Sequence, residues 1–145
     1  MERDNYIALQ FPSCSVNEGF ARIAVAGFAA QLDPTLEELG DIKTAVSEAV
    51  TNAIVHAYPE EIGRISIKAK RSGQLLEIKI QDWGLGIADI AQAKQPLFTT
   101  GGEERSGMGF TIMESFMDEM RVRSHPGKGT TVILRKRITP RMGKK

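Results

Sequence analysis

Ile7, Leu9 and Phe11 alternate with other residues, the period of a half-buried strand, and Pro12 closes the run. Ser15 stands where an N-cap would open a helix rich in alanine and apolar residues, reaching to about Leu32. A second helix is better marked. Thr35 and Glu38 have capping-box spacing just after Pro34, and Leu39, Ile42, Val46, Val50, Ala53 and Ala57 form one apolar stripe that Pro59 stops. Alternation returns at Ile65, Ile67 and Ala69, then, past a Ser72-Gly73 turn, at Leu76, Ile78 and Ile80. This hairpin delivers the chain to Asp82.

The stretch 83–107 is too rich in glycine for regular structure throughout, although Ala88 to Lys94 fits a short helix. A further helix is expected from about Met108 to Glu119. It leads into Met120 to Ser124, and the turn Pro126-Gly127-Lys128-Gly129 joins that segment to a last strand, Thr130 to Arg137. Clustered antiparallel strands and helices without strict alternation predict an α+β fold. The expected form is a two-layer sandwich with a mixed, mostly antiparallel sheet and helices on one face.

Composition narrows the class. A chain of 145 residues that is 41% hydrophobic and 26% charged can build a real core, which excludes a disordered protein. It reads as one domain over 1–145, without repeats, and with a basic, frayed tail from about 138. The longest nearly unbroken apolar run, Ile23 to Ala30, falls far short of the roughly 20 residues that span a bilayer. The charged N-terminus has no apolar segment of a signal peptide behind it, and the single cysteine, Cys14, excludes an internal disulfide. A cytoplasmic protein with no membrane contact is expected.

The net charge of +1 hides an asymmetry. Six basic residues and no acid lie between Leu134 and Lys145, which leaves 13 basic against 18 acidic residues in the body, about −5. An acidic body does not suit a nucleic-acid surface, so no direct nucleic-acid contact is expected.

Several chemistries are excluded by motif. The pair Gly127-Lys128 is followed by Gly129, so no Walker loop is present. Gly84-Leu85-Gly86 begins a dinucleotide fingerprint that fails at Asp89. The His-Arg-Asp and Asp-Phe-Gly signatures of ordinary protein kinases are missing, and two histidines with one cysteine make a poor zinc set.

Four segments carry chemistry. Glu48 and Asn52, four residues apart, share a helix face turned away from the apolar stripe. Such a pair is either a solvated face or a general base beside an oxygen ligand for magnesium. Asp82-Trp83-Gly84-Leu85-Gly86-Ile87 ends a strand, either as an Asp-started turn or with a carboxylate placed to accept from an exocyclic amine. Thr99-Thr100-Gly101-Gly102, then Arg105-Ser106-Gly107-Met108-Gly109, opens a helix. Backbone N–H groups there can cradle phosphate, with Arg105 as a clamp, or the stretch is a plain linker. Gly127-Lys128-Gly129-Thr130-Thr131 is a hairpin turn whose hydroxyls can approach a purine.

In this order and spacing the four segments resemble the Bergerat ATP-binding fold shared by gyrase, Hsp90, histidine kinases and the MutL proteins, and the resemblance covers nearly the whole chain. Ser47 to Tyr58, Gln95 to Thr100 and Glu104 to Asp118 are similar to the bacterial anti-sigma factor serine kinases. Within these the sporulation (anti-sigma F) branch is nearer than its general stress (anti-sigma B) relative. A detached histidine kinase catalytic domain is a further alternative.

The resemblance implies a kinase that uses ATP, releases ADP and needs Mg2+. It implies Glu48 as catalytic base, Asn52 as magnesium ligand and Asp82 as adenine contact, with Gly84 and Gly86 shaping its loop. Thr99, Thr100, Arg105 and Ser106 would form a phosphate-covering lid; Gly107, Met108 and Gly109 would line the phosphate channel, and Thr130 would support the adenine. Arg22 falls where the family presents a partner-binding arginine. The implied partners are a sigma factor of the sporulation sigma F type, an anti-anti-sigma factor phosphorylated on serine, and a second copy in a homodimer. His56 is assigned to helix packing or a neighbouring hydrogen bond, and Trp83 to packing beside the nucleotide loop.

Overall fold

A computed structural model describes residues 4–87 and 105–139, and within these the side chains of 105–108 are not described. Strands β1 (Asn5–Pro12), β2 (Arg64–Ser72), β3 (Leu75–Asp82), β4 (Glu119–His125) and β5 (Gly129–Arg137) form one sheet in the order β1-β2-β3-β5-β4. All four pairings are antiparallel, so the sheet is more uniform than the mixed one expected. Helices α1 (Asn17–Ala29), α2 (Leu36–Asn52) and α3 (Arg105–Phe116) supply the second layer.

The period-2 pattern decides which sheet face is covered. Ile65, Ile67 and Ala69 on β2, Leu76, Ile78 and Ile80 on β3, and Val132 and Leu134 on β5 are buried. They pack with Val25 and Phe28 of α1, Ile42, Val46 and Val50 of α2, and Met113 of α3 in one core cluster. Each large side chain so buried contributes roughly 1.5–3 kcal/mol, which sets the register of the hairpins, since a one-residue slip would turn these rows to water.

The capping box at the start of α2 forms as expected: Thr35 Oγ1 accepts from the Glu38 amide at 3.0 Å, and Glu38 Oε1 accepts from the Thr35 amide at 2.9 Å. The start of α1 differs from expectation. Val16, already helical at φ −64°, is the N-cap, and no side chain caps it. The first amides are met by carbonyls instead, Asn17 on Cys14 at 2.9 Å and Glu18 on Ser15 at 3.2 Å, so the Ser15 hydroxyl does not cap the helix. α1 tightens into a 3-10 turn at Ala30–Leu32, and Asp33 ends it in the left-handed region at φ 56°.

Helix α3 begins three residues before the expected Met108 and ends at Phe116, because β5 captures the chain: the Asp118 amide donates to the Arg135 carbonyl at 2.9 Å. The expected helix at Ala88 to Lys94 and the tail beyond Thr139 lie outside the described residues. Among the described residues no helix is long and apolar enough to cross a membrane.

Candidate nucleotide site

The stripe of α2 faces the sheet, which turns Glu48 and Asn52 toward the start of α3 rather than into solvent. A methyl group built on Gly109 would lie 3.0 Å from Asn52 Nδ2, 3.2 Å from Asn52 Oδ1 and 3.2 Å from Glu48 Oε1. The absence of a side chain at Gly109 is therefore what lets these two polar groups sit against α3. Both polar atoms of the Asn52 amide are buried and have no hydrogen-bond partner among the described residues. A buried amide normally finds partners, so this one marks a place where something else supplies them. A buried amide oxygen beside a carboxylate fits a hard cation that keeps most of its waters and takes few protein ligands.

Past Asn52 the helix widens into a π-turn, Ala53–Ala57, a local feature often found at functional sites. The widened turn leads to Tyr58 and to a second cluster at the end of β3. Asp82 is only 6% exposed, and its Oδ1 accepts from the Gly84 amide at 3.0 Å and the Thr130 amide at 3.2 Å. Burial pushes its carboxyl above the usual aspartate range, against the lowering effect of those two amides.

The glycines of this cluster have steric reasons. A side chain on Gly84 would overlap the Ala57 carbonyl, and one on Gly86 the His125 carbonyl. Gly86 also has φ +79°. The loop is stitched to its neighbours: the Leu85 amide donates to Ala57 O at 3.1 Å, the Gly127 amide to Leu85 O at 2.6 Å, and the Ile87 amide to Ser124 Oγ at 2.6 Å. Ser124 Oγ lies 2.8 Å from Thr130 Oγ1, which places both hydroxyls beside Asp82's partner strand. Trp83, expected as a packing residue, is 39% exposed instead, and its ring is covered by the Arg64 guanidinium at 3.9 Å.

The structure thus gathers the expected residues into two groups. Glu48, Asn52 and Gly109 form one; Asp82, Gly84, Gly86 and Thr130 form the other; residues 53–58 join them. Thr99 and Thr100 lie outside the described residues, and of Arg105, Ser106, Gly107 and Met108 only the backbone, the first turns of α3, is described. Arg22 belongs to neither group; it pairs with Glu18 one turn back on α1 at 3.2 Å. Sequence reasoning missed Tyr58 as a hydrogen-bonding residue, and it missed Ser124. A tyrosine just past a helix end gives no pattern that separates a polar role from packing, and Ser124 reads as one more polar position in a strand.

Residues 15–136 match the histidine kinase-like ATPase domain family. An anti-sigma F factor from Thermoanaerobacter sp. (strain X514) is 60% identical over 139 residues, covering 95% of this chain and 97% of that protein. The chain belongs to the anti-sigma F branch of the histidine kinase-like ATPase family. Other members of that branch match nearly as fully. The anti-sigma F factor of Geobacillus sp. (strain WCH70) is 57% identical over 137 residues, covering 93% of this chain and 94% of the relative. That of Pasteuria penetrans is 56% identical over 137 residues, covering 92% and 91%.

Two solved structures share the fold. The RsbU and RsbW domains of a Mycobacterium tuberculosis protein match 92% of this chain and 32% of that one, with TM-score 0.66 and 21% identity. The mycobacterial sensor histidine kinase MprB matches 71% of this chain and 74% of that one, with TM-score 0.56 and 20% identity. Family membership makes the chain an anti-sigma factor built on a nucleotide-binding, kinase-like ATPase fold.

Proposed function

We propose that the chain is an ATP-dependent protein serine kinase that holds a sigma factor of the sporulation sigma F type. In this reading it phosphorylates a serine of its anti-anti-sigma antagonist and works as a cytoplasmic homodimer, without direct contact to nucleic acid or membrane. The observation that carries the reading is the buried Asn52 amide, without a hydrogen-bond partner among the described residues, beside Glu48 under Gly109 in a chain of the anti-sigma F branch.

Asp82 accepts a hydrogen bond from the exocyclic amine of adenine in a loop shaped by Gly84 and Gly86, and Thr130 with Ser124 supports the base from the neighbouring strand. The free amides of the first turn of α3 face the phosphates at the positive end of the helix, and Gly107, Met108 and Gly109 line the channel. Thr99, Thr100, Arg105 and Ser106 close over them. Asn52 Oδ1 would hold Mg2+, which when bound draws charge from the phosphate oxygens. Glu48 takes the proton of the acceptor serine as its oxygen bonds to the γ-phosphorus and the bond to ADP breaks. Arg22, half-buried on α1 between the exposed apolar Phe20 and Ile23, contacts the partner protein.

The test uses the purified chain with magnesium, γ-labelled ATP and candidate anti-anti-sigma proteins. Acid-stable, base-labile label on the acceptor is expected. Acid-labile label would make the chain a histidine kinase, and tight ATP binding without transfer would make it a nucleotide-switched binding module.

A further inference from the structure

The Asp82 loop is held by two peptides, and both holds come from the same place. Ala57 O accepts from the Leu85 amide at 3.1 Å. Next in the chain, the Tyr58 hydroxyl donates to the Arg64 carbonyl at 2.8 Å and accepts from the Trp83 amide at 2.7 Å. The Trp83 amide is the peptide that directly follows Asp82, so its position sets where the carboxylate stands. Tyr58 is buried, and a side chain on Gly63 would run into its ring, so the ring has a fitted bed and little freedom.

We propose that Tyr58 is a positioning residue for nucleotide binding: its hydroxyl, anchored on Arg64, holds the Trp83 peptide and so aims Asp82 at the base. This rests on the nucleotide-site reading given above. Tyr58 directly follows the π-turn that begins after Asn52, so the end of that turn carries the hydroxyl that reaches the loop. The adenine end of the site is thereby indexed to the helix that carries Glu48 and Asn52.

Tyr58→Phe keeps the ring in its bed and removes only the hydroxyl. The Trp83 N–H then loses its acceptor, and a part-buried donor left without it lets its peptide turn toward water. Such a loss should weaken ATP and ADP by the same factor, about tenfold, because the effect sits at the base and not at the phosphates. Turnover at saturating ATP should stay within about twofold, a KM effect with kcat retained. Trp83 is the sole tryptophan of the chain, so its emission reports the loop directly.

Unchanged affinity with a lowered Tm would reduce Tyr58 to a fold residue and overturn the proposal. So would a loss for ATP with none for ADP. Asp82→Asn, measured in parallel, separates the two levels. If it weakens binding and Tyr58→Phe does not, only the positioning role fails. If it leaves affinity intact, the nucleotide-site reading fails and the proposal with it. Should Tyr58→Phe not fold, amide exchange on the wild-type chain decides: the Trp83 N–H is expected to exchange as slowly as the core of β3, and fast exchange would overturn the proposal.

Discussion

Replacing Asn52 by leucine should make the nucleotide-free protein more stable while disabling it. Both polar atoms of the amide are buried without partners among the described residues, and Asn52 is the last residue of α2. Keeping an amide desolvated and unpaired costs about 1–3 kcal/mol. Leucine has nearly the same shape, carries no polar atom and is the better helix former by a few tenths of a kcal/mol, so that cost is removed. Crowding works the other way, because the amide lies so close to Gly109 that a methyl group there would be 3.0 Å from its nitrogen. A net gain of about 1–2 kcal/mol is expected, or roughly 2–8 °C in Tm for a chain of this size. Calorimetric melting in the presence of a chelator measures it, and magnesium-dependent ATP binding, measured alongside, should be lost. A variant that melts below the wild type would show that the amide is satisfied in the free protein. Asn52 would then be a structural residue, and the cation argument would lose its footing.

Glu48→Gln should lower phosphoryl transfer about 10²–10⁴-fold while ATP affinity survives; affinity that collapses with it would give Glu48 a different role. Asp82 predicts two opposite pH slopes. Its folded-state carboxyl is raised by burial above the ordinary 3.8, so the free fold binds the proton more tightly than the unfolded chain. Stability of the free protein should therefore fall as pH rises through that window, while affinity for adenine nucleotides rises as the carboxylate ionises. Melting and calorimetric binding across the window test both, and Asp82→Asn should flatten both profiles. Lys136→Met removes a nearly buried ammonium that donates to the Phe116 carbonyl at the end of α3 at 2.8 Å and lies 3.7 Å from Asp41 on α2. About 1–3 kcal/mol should be lost in urea unfolding, with ATP affinity unchanged; a neutral result would show that solvent replaces those contacts.

The layers and the strand rows were legible because burial has a period. Ile65, Ile67 and Ala69 against Leu76, Ile78 and Ile80 can face only one way, and the Thr35–Glu38 box marks a helix start by chemistry that has no strand counterpart. What stayed hidden depends on contacts distant in sequence. The same four-residue spacing that puts Glu48 and Asn52 on one face fits a solvated surface equally well. The approach of Gly109, 57 positions beyond Asn52, is what sets that face against another helix, with the Asn52 amide atoms buried. Ser15 misled for a local reason: the residue after it is already helical, so carbonyls satisfied amides that a side chain was expected to cap. The π-turn leaves no trace in the pattern either, since the apolar stripe runs through Ala53 and Ala57 at ordinary helical spacing.

That unread turn explains how the two halves of the site keep their distance. The Glu48–Asn52 group is carried by α2, and the Asp82 loop by β3, with its glycines pressed against Ala57 and the β4–β5 turn. Two elements from different layers would normally shift against each other by small side-chain rearrangements. Here the chain between them is six residues long, Ala53 to Tyr58, and it ends in a carbonyl and a hydroxyl that grip the loop at Leu85 and Trp83. Phosphoryl transfer depends on reacting atoms held within a fraction of an ångström, and a misplacement of about 1 Å can cost 10²-fold. In the proposed reading, a base pocket gripped from the end of α2 gives that precision. In that reading, discrimination between ATP and ADP falls to the Glu48, Asn52 and Gly109 group, the start of α3 and the residues proposed to close over the phosphates, at the end of the site where the two nucleotides differ.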